Sequence, residues 1–401
     1  MLKELKWQKA SAAFGECRAA AGLVVAPVRT RKDRAQFVGL PWQLYKNNPL
    51  WVGPLRREAK QVADPKTNPF FKHAQIEHFL ARDTRAAIGR IAACIYPAYN
   101  ERMGSQVGFF GFLESVPNPD VVKSLLAEAE RWLAERGMQS IMGPYSYAPT
   151  QDMGLLVDGF DEPPALLQTY NPPFYEDFIV AAGYRRAWSA VSYHQNAVDV
   201  LDRMPALVAE SDRICAKNGL TIRQLDLSQI TKERALLLDL FNAAFAKNRE
   251  VVAIAEDVFR FQTSSFVHIV DPRVCFFVQQ GGREIGLGLA LPNFNEILLR
   301  DGGSLRIGTL LRWKKSLRSI RTVVVAILCS RPEAKGMGLS RVIATELLRA
   351  GIAAGYEGYH TGWVDEQNAA MRAGLRRLGC VQPAKRYAVY RKELSGRAYN
   401  G

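Results

Sequence analysis

Hydrophobic and polar residues alternate along three segments of the first half of the chain, and this alternation predicts β-strands. The three segments cover residues 76–81, 86–95 and 107–114. In residues 121–137 the apolar side chains recur every three or four positions, which predicts an amphipathic helix with Asp120 as its N-cap. The half closes with a short strand ending at residue 142, a Pro-rich stretch at 143–173, a helix at 174–182 and a strand at 186–195.

The second half repeats this order of strands and helices. Its predicted elements are a helix at 205–218, a strand at 221–227, helices near 232–247 and 255–267, a hairpin of 274–280 with 284–291, a strand at 322–329, a helix at 338–351, a strand at 356–364, a helix at 368–378 and a last strand at 387–392. Strands that alternate with helices through short links indicate an α/β fold in which helices flank the sheets. A length of 401 residues suits two such domains, and we place their boundary near residue 200.

The net charge of +14 favours anionic partners: a phosphate-bearing cofactor, an acidic carrier protein, an anionic membrane surface or nucleic acid. The six cysteines lie far apart and the five histidines are scattered, so no zinc-binding spacing is present. We therefore predict reduced, mostly buried thiols, no metal site and a cytoplasmic protein.

One turn in the second half carries the strongest chemical signal. A buried strand that includes Cys329 and Ser330 leads into Lys335-Gly336-Met337-Gly338-Leu339, where a helix opens. The free N–H groups of a first helical turn, together with the helix dipole, stabilise an anion and above all a phosphate. The two glycines let the backbone approach such a ligand, and Lys335 and Arg341 add positive charge. A plain tight turn is the alternative interpretation.

The segment that follows at a fixed distance makes the pattern specific. Residues 363–380 read Trp-Val-Asp-Glu-Gln-Asn-Ala-Ala-Met-Arg-Ala-Gly-Leu-Arg-Arg-Leu-Gly-Cys, and Tyr-Ala-Val-Tyr-Arg-Lys stands at 387–392. With these motifs, residues 322–392 resemble the GNAT acyltransferase superfamily. Residues 332–338 resemble its acyl-donor pyrophosphate loop, and residues 368–379 resemble its Asn…Ala…Leu-Tyr…Gly-Phe helix. The resemblance implies two strands that splay apart, with a thioester arm threaded between them.

The same resemblance implies a donor site. It consists of Cys329, Ser330, Lys335, Gly336, Met337, Gly338, Leu339 and Asn368. The implied donor substrate is acyl-CoA or acyl carrier protein, with no permanently bound cofactor. Glu333 departs from the family's Gln or Arg, and Leu375 stands where a tyrosine often protonates the leaving thiolate. Tyr387 and Tyr390 on the last strand are therefore the candidate acids, and we predict Tyr387; a purely structural aromatic is the alternative for each.

The first half resembles the same fold more loosely. Its turn from strand to helix reads Glu114-Ser-Val-Pro-Asn-Pro-Asp, with no glycine and two carboxylates, which suits a phosphate poorly. The chain also resembles a bacterial family of similar length, with Gly-Pro…Asp…Gly-Leu-Leu-Val…Gly-Phe at 143–160 and Tyr-Asn-Pro-Pro-Phe-Tyr at 170–175. As a GNAT-type protein it is similar to the bacterial ceramide synthases, which acylate a sphingoid-type amine.

Acyl transfer to an amine needs a general base, because an ammonium is not a nucleophile. His360 lies on the strand before the Asn368 helix, and Asp365 and Glu366 at the end of that strand are alternatives. Asp152 lies in the Pro-rich stretch among apolar neighbours that would raise its pKa. A hydrogen-bonded strand histidine and a turn aspartate are the structural alternatives.

Two basic segments favour a membrane surface. Residues 1–23 read as a basic amphipathic segment, and residues 297–321, which we call the insert, mix leucines with seven Lys and Arg residues. Solvated charged surfaces are the alternative for both. We predict a GNAT-like domain without a Gly-rich loop at 24–200, and a GNAT domain with the donor loop at 201–401.

The leading hypothesis is an N-acyltransferase that moves a long-chain acyl group to a lipid amine at the inner membrane surface. Acetylation of a small soluble amine is the simpler variant. A Fem-type transferase that uses aminoacyl-tRNA is the second hypothesis, and a non-catalytic lipid- or membrane-binding module is the third. We expect no DNA partner.

Overall fold

A computed structural model describes residues 22–246, 251–303 and 305–394. Contacts between residues divide the chain into two compact units. Among the described residues, the first unit holds 22–164, 169–190 and 385–394, and the second holds 165–168 and 191–384. The predicted N-terminal segment 1–23 lies almost wholly outside the described residues.

The described part of the first unit contains eight strands and five helices. Its strands are β1 Val24–Pro27, β2 Gln75–Arg82, β3 Ala87–Ile95, β4 Val107–Ser115, β5 Ser140–Gly143, β6 Leu155–Asp158, β7 Arg185–Ser192 (whose last two residues belong to the second unit) and β15 Lys385–Glu393. Its helices are α1 Arg31–Leu44, α2 Arg56–Val62, α3 Pro97–Met103, α4 Pro119–Ala134 and α5 Phe174–Ala181, with a 3₁₀ turn at Pro69–Lys72.

The sheet of the first unit has the order β1-β2-β3-β4-β5-β15-β7, and β6 also pairs with β15. Strands β4 and β5 are parallel, whereas β15 runs antiparallel to β5 and β6. The last strand of the chain, which we placed in a 201–401 domain, therefore supplies part of this sheet. Sequence periodicity predicts a strand but not the strand it pairs with, because pairing depends on residues that are distant in the sequence.

Helix α4 covers this sheet because its apolar positions fall on one face. Val121, Leu125, Leu126 and Leu133 are fully buried among strand residues such as Phe110. Each buried side chain of this size contributes about 1.5–3 kcal/mol. The N-cap is Asn118, whose Oδ1 accepts from Asp120 N at 2.9 Å, so the prediction of Asp120 as N-cap is wrong. Asp120 lies in the first turn, where its charge favours the helix dipole.

The second unit contains a six-stranded sheet of order β8-β13-β12-β11-β10-β9. The strands of this sheet are β8 His194–Asn196, β9 Leu220–Gln224, β10 Cys275–Gln280, β11 Arg283–Pro292, β12 Thr322–Ser330 and β13 Gly358–Thr361. A further strand of the unit, β14 Val364–Asp365, does not belong to this sheet. Its helices are α6 Met204–Asn218, α7 Ile230–Phe245, α8 Glu256–Gln262, α9 Asn295–Arg300, α10 Ile307–Leu311, α11 Trp313–Arg318, α12 Leu339–Ala353 and α13 Ala369–Arg377. Its 3₁₀ turns are Ala197–Arg203, Leu227–Gln229, Phe266–His268, Pro272–Val274 and Pro332–Ala334.

The two units share one motif, as the repeated order of elements predicts. Each has an antiparallel hairpin, a third antiparallel strand, a helix and a parallel strand: β2-β3-β4-α4-β5 in the first unit and β10-β11-β12-α12-β13 in the second. In both units the third strand carries a β-bulge against its antiparallel neighbour. A bulge bends its strand and re-aims the side chains beside it.

In the first unit a hairpin closes the edge of β4 beyond the end of β5. The β4–β5 pairing ends at Phe109, and Tyr145 N then donates to Phe110 O at 2.9 Å. Tyr145 itself bridges Met153 across the hairpin. An ideal Cβ on Gly111 would lie 1.3 Å from Tyr145 O, so only glycine admits this approach.

Replacing Gly111 with alanine should therefore push the hairpin away from β4. We expect a loss of at least about 1–3 kcal/mol in the free energy of unfolding, measured by urea denaturation. The matched control is Gly39→Ala in α1, where an added Cβ meets nothing within 4 Å and should be neutral or slightly stabilising. Equal stability of the two variants would contradict the proposed close approach.

Candidate functional site

The turn between β12 and α12 has the conformation that its two glycines allow. After the 3₁₀ turn Pro332–Ala334, the backbone takes φ values of 88° at Gly336 and 84° at Gly338, and α12 begins at Leu339. Residues other than glycine rarely adopt such left-handed φ values. The sequence pattern Lys-Gly-Met-Gly thus encodes a specific backbone shape.

This turn leaves four backbone donors free. Among the described residues, no acceptor lies within hydrogen-bond distance of the N–H groups of Gly336, Gly338, Leu339 and Ser340. These groups stand at the positive end of the α12 dipole, where an anion is stabilised. In the first unit the equivalent helix start is closed, because Asn118 Oδ1 accepts from Asp120 N and Val121 N. The β4–α4 turn is therefore less suited to an anion than the β12–α12 turn, as the sequence predicts, because Asn118 already occupies the first N–H groups of α4.

The charges around the turn differ in how far they are neutralised. Lys335 is exposed and has no ion-pair partner among the described residues. Arg341 pairs with Glu210 at 2.7 Å. Glu333, the unusual acidic residue of this loop, pairs with Arg283 at 3.1 Å. Because Arg283 offsets Glu333, Lys335 is the free cation beside the four N–H groups.

Strand β12 separates from β13 immediately before the turn. Their parallel pairing runs only from Thr322 to Val325 of β12, and the bulge against β11 lies at Ala326. Arg331 N donates to Ile285 O of β11 at 2.8 Å. Since backbone groups alternate between the two edges of a strand, Leu328 and Ser330 direct theirs toward the edge that β13 has left.

A pocket of about 220 Å³ lies along this opened edge. Its lining residues are Leu328, Cys329, Ser330, Ser340, Ile343, Ala244 and Phe245. Burial raises the pKa of the Cys329 thiol to about 12, so this side chain is neutral at physiological pH. Cys329 is therefore a packing residue in the pocket wall and lacks the thiolate that a nucleophile requires.

Asn368 caps the helix that follows. Its Oδ1 accepts from Met371 N at 3.0 Å, which fixes the start of α13, and the residue is exposed. A contact of Asn368 with a donor stays a prediction. Leu375, at the position of the family's tyrosine, is buried with Tyr193, Val364 and Cys380 in a small apolar cluster, so no acid stands there.

His360 lies on β13 opposite His194 of β8. The two rings stack with their centroids 4.4 Å apart. The neighbouring side chain, Tyr359, points to the other face of the sheet and donates to Leu348 O at 2.8 Å. His360 therefore belongs to the sheet face away from that contact, and its role as a base stays a prediction.

The other two catalytic candidates belong to the first unit. Asp152 accepts from Ser146 Oγ at 2.8 Å. Solvent reaches this carboxylate, yet the surrounding protein raises its pKa, as the sequence predicts, and the Ser146 bond opposes that rise. Tyr387 is fully buried on β15 in register with Leu156. The described structure thus groups the predicted donor-loop residues in the second unit, while the predicted acid and base residues lie on separate elements.

Several pocket residues were not predicted. Leu328 and Ser340 adjoin predicted residues, so the resemblance contained a signal for them. Ala244 and Phe245 lie at the end of α7, far away in sequence, and no local pattern marks them. Among the described residues, no group of three or more His, Cys, Asp or Glu side chains could hold a metal ion. No described helix has the length and apolarity needed to cross a membrane.

The chain was compared with known proteins. No family model matches it. It is 30% identical over 383 residues to the bacterial ceramide synthase of Caulobacter vibrioides, an alignment that covers 93% of this chain and 98% of that protein. It is 29% identical over 370 residues to Protein YghO of Escherichia coli, with 91% of this chain and 94% of that protein covered.

Solved structures show the same architecture. A tandem GNAT protein from the clavulanic acid biosynthesis pathway superposes with a TM-score of 0.55 at 12% identity, covering 93% of this chain and 98% of that one. A GCN5-related glucosamine N-acetyltransferase region of a fungal multi-domain enzyme gives a TM-score of 0.54 at 15% identity, covering 94% of this chain and 39% of that one. The predicted tandem GNAT fold is confirmed.

Removal of the free cation at the turn tests the anion site. Lys335→Ala should weaken CoA binding about fivefold at low salt, and the difference should shrink as added salt screens the charge. Isothermal titration measures both effects. Lys123→Ala, an exposed lysine of α4 in the first unit, is the matched control and should bind CoA like the wild type. Identical losses in the two variants would contradict the assignment of this turn.

Proposed function

We infer the function from the family: the chain belongs to the family of the bacterial ceramide synthase of Caulobacter vibrioides, and it is an acyltransferase. We propose that it moves an acyl group from a thioester donor onto an amine. The observation that supports this most directly is the pocket at the opened edge of β12, whose wall includes Ser340, one of the four residues with a free N–H group.

The donor is proposed to lie along this edge. The amide groups of a phosphopantetheine arm can pair with the backbone of Leu328 and Ser330, as an added strand would. The phosphates then meet the N–H groups of Gly336, Gly338, Leu339 and Ser340, with Lys335 nearby. The arm is common to acyl-CoA and acyl carrier protein, so the donor pocket suits both.

The reaction is proposed to proceed by direct transfer. The neutral amine attacks the thioester carbon, the C–S bond breaks, and the sulfur leaves as a thiolate that takes up a proton. The nitrogen loses one proton to a base and becomes the amide nitrogen. Because Cys329 holds its proton, an acyl-cysteine intermediate is not part of this scheme. His360 and Asp152 remain the proposed bases and Tyr387 the proposed acid.

The acceptor is proposed to be a lipid amine of the sphingoid-base type, and the acyl group a long chain. The name of the Caulobacter relative supports this acceptor, since a ceramide is the amide of a sphingoid base. Its alignment covers nearly the whole of both chains, so the relative offers a counterpart for each unit.

Turnover with defined substrates tests the proposal. Purified protein is incubated with palmitoyl-CoA, acetyl-CoA or palmitoyl acyl carrier protein, with and without sphinganine, and released thiol and product mass are recorded. We expect thiol release that depends on sphinganine, with a long-chain donor. No turnover with any thioester would overturn the function and favour the aminoacyl-tRNA or non-catalytic alternatives.

A variant links this activity to the pocket. Ser340→Phe places a ring in the pocket and should abolish turnover while the protein stays folded. Thr221→Phe adds the same bulk on exposed β9 and should leave turnover unchanged.

The insert supports a proposed membrane surface. Its short helices bury polar residues: Asp301 Oδ2 accepts from Thr309 Oγ1 at 2.5 Å, and both side chains are under one tenth exposed. The aliphatic residues of α10 face outward, with Ile307 at 77%, Leu310 at 52% and Leu311 at 82% exposure, whereas Ile297, Leu298 and Ile320 of the insert are buried. An exposed aliphatic cluster beside many Lys and Arg residues suits a membrane surface with an apolar interior and anionic headgroups.

Vesicle binding tests this surface. Leu311→Asp should reduce binding to phosphatidylglycerol vesicles about tenfold or more, because a leucine in the lipid contributes about 1.5–3 kcal/mol. Val198→Asp is the matched control, since Val198 is 69% exposed elsewhere in the second unit. Sedimentation with vesicles of phosphatidylglycerol or of phosphatidylcholine measures the effect. Equal binding by both variants would contradict a role for the insert.

A further inference from the structure

The first unit carries a carboxylate at the strand position that corresponds to the proposed donor pocket of the second unit. Both third strands, β4 and β12, have nine residues and a bulge. Residues 328–330 of β12 line the donor pocket, whereas Glu114 occupies the corresponding end of β4. Glu114 pairs in register with Arg90 of β3. A shared backbone design thus presents different chemistry in the two units.

Glu114 uses only one of its two oxygens within the protein. Tyr45 Oη donates to Oε2 at 2.5 Å, and Tyr175 Oη lies 3.3 Å from the same oxygen. Oε1 has no hydrogen-bond partner among the described residues, and it is not among the polar atoms shut off from solvent. The two tyrosines therefore fix the carboxylate while the second oxygen stays available to a ligand.

Aromatic rings surround this carboxylate. Tyr45 stacks on Trp51 with centroids 5.0 Å apart and meets Tyr170 edge-on at 6.5 Å. Tyr45 is buried, whereas Trp51 and Tyr170 remain partly exposed. A polar group set behind partly open aromatic faces is a common design for a ligand that is polar at one end and apolar at the other.

The bulge beside Glu114 is strained. Phe112 has a φ of 51°, a left-handed value that is rare for a bulky aromatic residue. Its ring lies 5.6 Å from the guanidinium of Arg90 and is partly exposed. Such backbone conformations cost about 1–3 kcal/mol and persist where surrounding structure requires them, often at ligand sites.

The charges at this place favour a basic ligand. Burial raises the pKa of Glu114 to about 7, and Arg90 and the hydroxyls of Tyr45 and Tyr175 oppose that rise. His78, which bonds Tyr147 Oη at 2.9 Å, has its pKa lowered to about 3 by burial and Arg90, so it is neutral. Arg90 donates to Phe37 O at 2.7 Å. Near neutral pH an ammonium group can therefore form an ion pair with the Glu114 carboxylate or transfer a proton to it. A phosphate would be repelled by the same negative charge.

We propose that the first unit holds a second ligand site at Glu114, which binds a primary amine through Oε1 and the amine's apolar chain through the rings of Trp51 and Tyr170. That this amine is the acceptor of the acyl group rests on the proposed function. The proposal places binding of the acceptor's amine at Glu114 of the first unit.

Binding of octylamine, a soluble probe, tests the site, with octanol as its uncharged match. The wild type should bind octylamine at least about tenfold more tightly than octanol, because a charge-assisted hydrogen bond is lost with the alcohol. Glu114→Gln should lose this preference while binding octanol as before. Glu101→Gln, an exposed glutamate on α3, is the matched control and should keep it.

The outcomes separate this site from the proposed function. CoA binding at the proposed donor loop should be unchanged in Glu114→Gln, which shows that the second unit is intact, and unchanged octanol binding shows the same for the first unit. Equal affinity of the wild type for octylamine and octanol would overturn the site, whatever the variant does. If octylamine binding depends on Glu114 but no thioester turns over, the site stands and the acyltransfer proposal fails.

A stability measurement checks the environment of Glu114 independently. Its folded pKa of about 7 lies above the ordinary value of 4.5, so folding favours the protonated form. The wild type should therefore lose free energy of unfolding as pH rises from 4.5 to 7, relative to Glu114→Gln. Parallel pH profiles for the two proteins would show that Glu114 is not the buried, amine-ready carboxylate described above.

Discussion

The early end of the β12–β13 pairing is the constraint on which the proposed donor site depends. Backbone N–H and C=O groups need hydrogen-bond partners, and a strand that loses its neighbour offers them to something else. The bulge at Ala326 turns β12 at the point where Val325 makes the last parallel pair. The edge then leads to the left-handed turn at Gly336 and Gly338, where further N–H groups are free. The bulge at Ala326 thus precedes both the free edge of β12 and the start of α12.

The first unit shows what happens when the same motif is closed. The hairpin at Tyr145 bonds to β4 just beyond the last β4–β5 pair, and only a glycine at 111 permits this approach. Asn118 fills the start of α4 with a side-chain oxygen. With its helix start occupied, the first unit lacks the free N–H groups of the second, and the corresponding strand end carries Glu114 instead.

Charge distribution follows the same logic of local neutralisation. Most basic residues near the donor turn already have acidic partners, such as Arg341 with Glu210. Among the described residues Lys335 has no ion-pair partner, so its positive charge at the turn is not neutralised. Within the insert, Asp301 and Thr309 are buried, whereas Ile307, Leu310 and Leu311 of α10 are exposed. An exposed aliphatic cluster of this kind has a free-energy reason to seek an apolar partner.

The sequence by itself determined the features that depend on interactions between residues close together in the chain. The repeated order of strands and helices follows from the spacing of apolar residues, and the donor turn follows from two glycines whose φ values no other residue adopts easily. The amphipathic face of α4 was predictable for the same reason, although its cap proved to be Asn118 rather than Asp120. Tertiary structure alone decided the rest. It joined Lys385–Glu393 to the sheet of the first unit, and it brought Phe245 to the wall of a pocket formed by residues 328–330. It also gave Glu114 the burial that raises its pKa, because strand pairing, pocket walls and desolvation arise from residues far apart in the chain, which no local pattern records.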